Sequence, residues 1–436
     1  MKYLIYKNPV FQVDIEPAGG RTKVTAGGIL SPVLKNLVTQ EMAFFDHEKY
    51  IAELTEMSEN SEITEIIENS ESHKNVNTNT NTNTNTNTNT NTNKNANTSF
   101  ESYYRKYGDS LIYSTWMPPI PSPAFKRMVE GRMKSALGKY RPEQVTISIT
   151  EECPNRCLHC ALPNKNNHSK LTVAETKDAI DQAVGAGATN IIFDGGEPLG
   201  YAGLEELISY VDPNKAIACM FTSGVGLTAE KAKSLKEAGL YSVSVSIDSP
   251  IEEKHDYMRG VPGVFNTATA AIQNALAAGL LVNIYVVLAP HNVNDLDKVY
   301  DFAKTLGVHE LSFYEIVPTG RWLDNTTDIL TPEQHEIFRN FVDICNQDLT
   351  GPKLFSGPLV IDEFGCMAGR QWMHITPEGN ILPCSCVPIS YGNVKTGKDA
   401  VKKAWKKIRA EPAYNKGAGC LMRDPEFREK YGDRFQ

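Results

Sequence analysis

The chain has 436 residues, a formal charge of −8, 41 % hydrophobic residues and nine cysteines. That length supports two or three domains with cores of their own, and the mild acidity excludes a basic nucleic-acid-binding face. No run of about 18 apolar residues could span a bilayer, and Lys2 and Lys7 stand in an N-terminus without an apolar leader, so a cytoplasmic location is expected.

Residues 1–140 read as a small α+β region and a candidate substrate-recognition module. Strands are expected at 1–6, 12–15 and 22–25, the last two as a hairpin around Gly19-Gly20, with a helix over 32–45. Residues 46–98 interrupt the pattern. They hold nine acidic and three basic residues, six of the eight net negative charges, and end in eight Asn-Thr dipeptides over 77–92. Such a tract cannot bury enough apolar surface to offset its ordering entropy, so a disordered insertion is expected. Beyond it come a strand at 110–115, a proline-rich stretch at 118–123 and an amphipathic helix over 124–137. That helix carries Phe125, Met128, Val129 and Leu137 on its apolar side and is expected to dock on the next domain.

Residues 141–325 alternate strand and helix signals. Strands are predicted at 145–150, 190–194, 216–222, 242–246, 282–288 and 310–316, with helices that include 174–185, 229–238, 265–278 and 295–306. Six such units imply a parallel sheet covered by helices, with chemistry on loops at the C-terminal ends of the strands. The first of those loops carries Cys153, Cys157 and Cys160 in a CxxxCxxC spacing. Three thiols on a tight loop suit a 4Fe–4S cluster with one iron left open; a zinc site completed by His159 is the alternative. Nine cysteines in a reducing compartment favour metal over disulfides in either case. The next strand ends in Asp194-Gly195-Gly196-Glu197-Pro198, where bare backbone can approach a ligand.

In combination these motifs resemble the radical S-adenosylmethionine (SAM) superfamily over residues 143–320. The resemblance implies a partial, TIM-like (β/α)6 barrel whose cluster, held by Cys153, Cys157 and Cys160, cleaves SAM reductively to a 5′-deoxyadenosyl radical. It further implies that His159 packs near the adenine, and that Gly195, Gly196 and Glu197 receive the SAM amino group. Ser246 and Asp248 would approach the ribose or methionine, and Arg259 the SAM carboxylate, a solvated helix-start charge being the alternative for Arg259. Ser223 stands where relatives often carry asparagine.

Residues 326–436 hold a second thiol group: Cys366, Cys384, Cys386 and Cys420. A β-hairpin over 372–384, turning at Pro377 to Asn380, would bring Cys366 and Cys384 together. The spacing and the Gly392-Asn393-Val394 segment resemble the SPASM and twitch extensions of radical SAM enzymes. That resemblance implies one auxiliary 4Fe–4S cluster, which accepts an electron or binds substrate; four thiols could close it, or Cys386 could stand apart. A four-thiolate mononuclear site is the bland alternative. Cys219 and Cys345 read as packing residues.

The expected function is SAM-dependent oxidation, crosslinking or rearrangement of a peptide or small molecule, with a ferredoxin or flavodoxin as electron donor. A non-catalytic iron–sulfur or zinc protein acting in electron transfer or partner binding is the competing expectation. Tyr285, Tyr314, Glu315 and Arg321 lie near predicted strand ends without an assigned role.

Overall fold

The computed structural model describes residues 3–7, 11–18, 21–28, 105–107, 110–120, 122–136, 138–162, 168–348, 350–415 and 419–435. The predicted helix over 32–45 and the insertion at 46–98 lie outside the described residues. The chain divides into two units, residues 1–100 with 133–139, and residues 101–132 with 140–436. The first contains an antiparallel sheet of β1 (Tyr3–Lys7), β2 (Phe11–Ala18) and β3 (Arg21–Gly28). Ala18 pairs with Arg21, so β2 and β3 pair antiparallel in the register of the expected hairpin, while Gly19 and Gly20 themselves lie outside the described residues.

The second unit opens with a short hairpin, β4 (Arg105–Tyr107) and β5 (Ser110–Ile112); α1 (Pro123–Ala136) follows, with residues 123–132 in this unit and 133–136 in the first. Its main body is a nine-stranded sheet. Six parallel strands follow one another in chain order: β6 (Gln144–Thr150), β7 (Asn190–Gly195), β8 (Ile217–Thr222), β9 (Ser242–Ser246), β10 (Leu281–Leu288) and β11 (Glu310–Glu315). These are the six expected strands, each within one residue of its predicted limits. Between them lie α2 (Val173–Ala186), α3 (Leu204–Tyr210), α4 (Ala229–Glu237), α5 (Glu252–Arg259), α6 (Val264–Ala277) and α7 (Leu296–Leu306). Thr172 and Glu175 close a reciprocal capping box on α2, which fixes where the helix after the cysteine loop begins.

The C-terminal residues extend the same sheet at both edges. After α8 (Pro332–Cys345), β12 (Lys353–Ser356) adds in parallel to β11 and leads into α9 (Gly357–Phe364). At the other edge, β13 (Trp372–Ile375) pairs in parallel with β6, and β14 (Ile381–Leu382) runs antiparallel to β13. The predicted hairpin therefore becomes part of the barrel wall. Helices α10 (Ala400–Ala410) and α11 (Pro425–Tyr431) complete the chain.

Alternation along each strand sends one set of side chains to the helices and the other into the barrel. Val145, Ile147, Ile149, Ile191, Phe193, Val243, Val245, Leu311 and Phe313 form the fully buried outer core. The inner set changes character with height. At the N-terminal end it is packed shut. The predicted strand at 110–115 stops at Ile112, and its continuation plugs the barrel floor. There the Thr115 N–H donates to Glu310 at 2.7 Å, Ser242 donates to the Thr115 carbonyl at 2.8 Å, and Trp116 Nε1 donates to Ser312 at 3.2 Å. Asn283 bridges Ser244 and Ser312 at 3.0 Å each. The strand propensity of residues 113–115 loses to these tertiary hydrogen bonds. Toward the C-terminal ends the inner side chains, Asp194, Phe221, Ser246, Tyr285 and Tyr314, are only half-buried. The mouth of the barrel is less completely buried than its floor.

Candidate functional site

The loop after β6 carries Cys153, Cys157 and Cys160 over that mouth. Its own hydrogen bonds hold it only in part, for example the Glu152 N–H to Thr150 Oγ1 at 3.0 Å. Most of its shape is imposed by three glycines from three later segments. Gly196 N donates to the Thr150 carbonyl at 2.7 Å and Glu197 N to the Glu152 carbonyl at 2.8 Å. A Cβ on Gly196 would lie 2.2 Å from the Glu152 carbonyl oxygen. At the end of α5, Gly260 (φ +68°) would put a Cβ 2.5 Å from the Arg156 carbonyl, while Arg156 N and Leu158 N donate to the Arg259 and Met258 carbonyls at 3.0 Å. Beyond β11, Gly320 (φ +53°) would put a Cβ 2.2 Å from the Cys160 carbonyl, which accepts from Arg321 N at 3.0 Å. Each cysteine thus sits within three residues of a point where another backbone presses on the loop.

Glu197 follows the first clamp and is 4 % exposed. Its carboxylate accepts from Thr222 Oγ1 at 2.6 Å, Ser223 N at 2.9 Å, Leu199 N at 3.2 Å and the Ser223 hydroxyl. Burial nevertheless pushes its pKa above the usual carboxylate range. Ser223 is committed to this carboxylate, which explains how serine serves at this position. A cleft of about 690 Å³ lies alongside, lined by Thr150, Cys153, Glu197, Tyr201 and Gly226 among others.

The Arg259 guanidinium closes the opposite side. It pairs with Asp248 through Nε at 2.8 Å and Nη2 at 3.0 Å, and Nη1 lies 3.8 Å from Cys157 Sγ. Asp248 is fully buried, and His159 Nε2 stands 3.8 Å from its Oδ2. Burial alone would raise the Asp248 pKa, but Arg259, with His159 and His255, reverses this and holds it at about 2. Burial takes His159 down to about 4, so its ring is neutral. The solvated helix-start alternative for Arg259 is overturned: it is the last residue of α5 and 7 % exposed. Asp248, expected to approach the ribose or methionine, has its carboxylate engaged by Arg259 and, at 3.4 Å, by Val287 N. His159 turns toward Asp248 instead of completing a tetrahedral site with the thiols. Among the described residues no three His, Cys, Asp or Glu side chains close around a single metal ion.

The four C-terminal cysteines are brought together from Gly365 after α9, the turn after β14 and the segment before α11. The Cys420 thiol donates to Cys366, whose pKa falls below the ordinary thiol range with help from the Leu421 and Ala368 N–H groups. Cys384 and Cys386 form a second thiol pair, and Cys384 feels the charges of Cys366 and Cys420 as well. The predicted Cys366–Cys384 approach is therefore one part of a four-thiol group, in which Cys366 pairs with Cys420 and Cys384 with Cys386. Thr319 Oγ1 donates to the Cys386 carbonyl at 2.8 Å, which ties this group to the loop beyond β11.

Residues 147–303 match the Radical SAM superfamily. The barrel is a radical SAM domain. An AdoMet-dependent heme synthase from Methanosarcina barkeri is 25 % identical over 310 residues, covering 65 % of this chain and 86 % of that one. A PqqA peptide cyclase from Rhizobium meliloti is 25 % identical over 292 residues, covering 63 % and 76 %. Streptococcus suis SuiB bound to precursor peptide SuiA shares the fold with a TM-score of 0.53 and 15 % identity, over 66 % of this chain and 71 % of that chain.

A radical SAM domain works with a 4Fe–4S cluster and SAM, and the residues present fit both. The three loop thiols are free of disulfides, and a four-iron cube keeps its thiolates several ångströms apart instead of around one point. Buried polar atoms without an internal partner, both amide atoms of Asn155 and Nδ1 of His159, lie in the same loop and are available to a bound group.

Sequence reasoning missed Gly260 and Gly320, because nothing local distinguishes a clamp glycine from a helix-ending one. Glu315 proves to be paired with His335 at 3.3 Å and with Arg423. Cys219 and Cys345 are buried among apolar neighbours.

Proposed function

We propose that this radical SAM enzyme holds its SAM-binding 4Fe–4S cluster on Cys153, Cys157 and Cys160 and an auxiliary 4Fe–4S cluster on Cys366, Cys384, Cys386 and Cys420. The single observation that carries the reading is the clamped thiol loop at the C-terminal end of the barrel, with a second thiol group joined to it through the 316–320 segment. When bound, the cluster and SAM supply a carbon-centred radical able to take a hydrogen atom from a substrate.

The chain's own residues supply placement. Gly195 and Gly196 press the turn against Thr150 and Glu152 and so place the backbone that would receive the SAM amino group beside Glu197, whose Thr222 and Ser223 donors fix the carboxylate. The buried Asp248–Arg259 pair sets a positive edge beside Cys157, suited to a carboxylate, and Ser246 offers a half-buried hydroxyl on the lumen side. His159 supplies a neutral ring at the adenine position.

The substrate we propose is a peptide or a cofactor precursor that is oxidised, crosslinked or rearranged. Similarity to a peptide cyclase and to a heme synthase supports both classes. A low-potential flavodoxin or ferredoxin would deliver electrons. No helix among the described residues is long and apolar enough to cross a membrane. The test is anaerobic reconstitution followed by dithionite-driven turnover: 5′-deoxyadenosine should appear with the native chain and vanish when Cys153, Cys157 and Cys160 become serine. Equal nucleoside from both proteins would overturn the ligand assignment.

A further inference from the structure

The C-terminal end of the barrel is chemically two-sided. On one side, rings from neighbouring strands meet across the small serines of β9. Phe221 and Tyr285 stand edge to face with centroids 4.9 Å apart, Tyr285 and Tyr314 stack at 4.8 Å, and Tyr314 lies 5.5 Å from Phe355 and 6.1 Å from Trp372. All five rings are only half-buried, whereas the outward residues of the same strands are sealed. On the other side, three polar groups converge from β6, β7 and β13. Ser148 Oγ donates to Asp194 Oδ1 at 2.6 Å and lies 3.3 Å from His374 Nε2. Ser148 and His374 are 0 % and 3 % exposed, and His374 Nδ1 is buried without a partner. Asp194 remains half-buried, one residue beyond the point where β7 and β8 align Phe193 with Met220, and hence beside Phe221.

None of these groups contributes to the thiol loop or to the Asp248–Arg259 pair. A carboxylate kept beside a ring wall, with only one oxygen served by a hydroxyl, is an acceptor awaiting a donor. Burial pushes the Asp194 carboxyl up, so a ligand that donates to it would also relieve its poor solvation. The ring wall asks for a flat apolar body beside that donor. We infer that the barrel mouth is a binding chamber for an aromatic ring bearing an O–H or N–H donor, with the ring against Phe221, Tyr285 and Tyr314 and its donor on Asp194. Ser148 and His374 are positioning residues that hold the carboxylate toward the lumen. The assignment deepens the proposed function by giving the substrate a phenol- or indole-like group at the reacting end.

The test uses ligand-observed ¹⁹F NMR on the anaerobically reconstituted chain, with 4-fluorophenol and fluorobenzene as probes and butylamine as competitor. The phenol should bind at least about tenfold more tightly than fluorobenzene, the value of one hydrogen bond to a charged acceptor. Asp194→Asn should reduce the phenol to the fluorobenzene level, and Phe221→Leu should weaken both probes. If Asp194→Asn fails to fold, Ser148→Ala provides the second variant, with a smaller loss confined to the phenol. Equal binding of the two probes, or displacement of 4-fluorophenol by sub-stoichiometric butylamine, would overturn the aromatic assignment; the second result would mark an ammonium site. Running the probes on the Cys153, Cys157 and Cys160 triple serine variant separates the two readings. Retained phenol binding there supports the chamber whatever the fate of SAM cleavage, and phenol binding lost from a variant that keeps its native circular dichroism refutes it.

Discussion

Gly196→Ala is the sharpest test of the idea that distant glycines shape the thiol loop. The added Cβ would lie 2.2 Å from the Glu152 carbonyl oxygen, 2.5 Å from its carbon and 2.6 Å from the Glu151 oxygen, all backbone atoms that cannot rotate away. Reaching even the tight 3.0–3.4 Å range requires the loop to retreat by about 1 Å immediately before Cys153. Overpacking of that kind costs about 1–3 kcal/mol, within the stability of a domain of this size, so the chain should fold. A 1 Å error in a reacting group costs roughly a hundredfold in rate. We therefore expect near-native circular dichroism, a lowered melting temperature, about a hundredfold slower 5′-deoxyadenosine formation and reduced iron and sulfide at the barrel site. Gly260→Ala and Gly320→Ala should behave alike, with extra strain from their positive φ. Gly185→Ala is the control: it lies inside α2 with no atom within 4 Å of the new Cβ and should stabilise the chain by about 0.5–1 kcal/mol. Full iron content and native turnover in Gly196→Ala would refute the clamp.

Three further outcomes follow from the same geometry. Arg259→Met leaves Asp248 charged and unpaired in the interior and should destabilise by about 3–5 kcal/mol in urea titration, whereas Asp248→Asn with Arg259→Met should cost less than the sum of the two single changes. Because the folded Asp248 pKa of about 2 lies below its ordinary 3.8, its contribution of about 2 kcal/mol is complete above pH 4 and lost as pH falls through 2. The urea midpoint of native protein should therefore drop between pH 4 and 2 more steeply than that of Asp248→Asn; parallel curves would contradict the pairing. Finally, the Cys153, Cys157 and Cys160 triple serine variant should keep iron and sulfide in equal amounts at the C-terminal thiols, and Cys366→Ser with Cys420→Ser should keep only the barrel cluster. Iron without sulfide in the first variant would indicate a mononuclear site instead.

The barrel thiol loop and the strand–helix rhythm were legible because both are local. Three cysteines within eight residues share a loop whatever the rest of the chain does, and an apolar strand followed by a capped helix announces itself over about 15 residues. The net charge of −8 loses its meaning in the same way: six charges belong to the 46–98 insertion and carry no information about the substrate. What sequence could not assign were relations across the barrel. Arg259 reads equally well as a surface helix charge until the fold buries it against Asp248, and Gly320 looks like any turn glycine until Cys160 is found 160 residues upstream at its back. Residues 113–115 have strand character, yet hydrogen bonds to Glu310 and Ser242 bend them into a floor. His374 enters the lumen only because β13 adds to the edge of β6, a pairing between residues some 230 positions apart that no short-range pattern encodes. The sequence alone determined which groups the protein carries and on which loops; the tertiary structure decided which of them face one another, because burial and pairing are properties of neighbours in space.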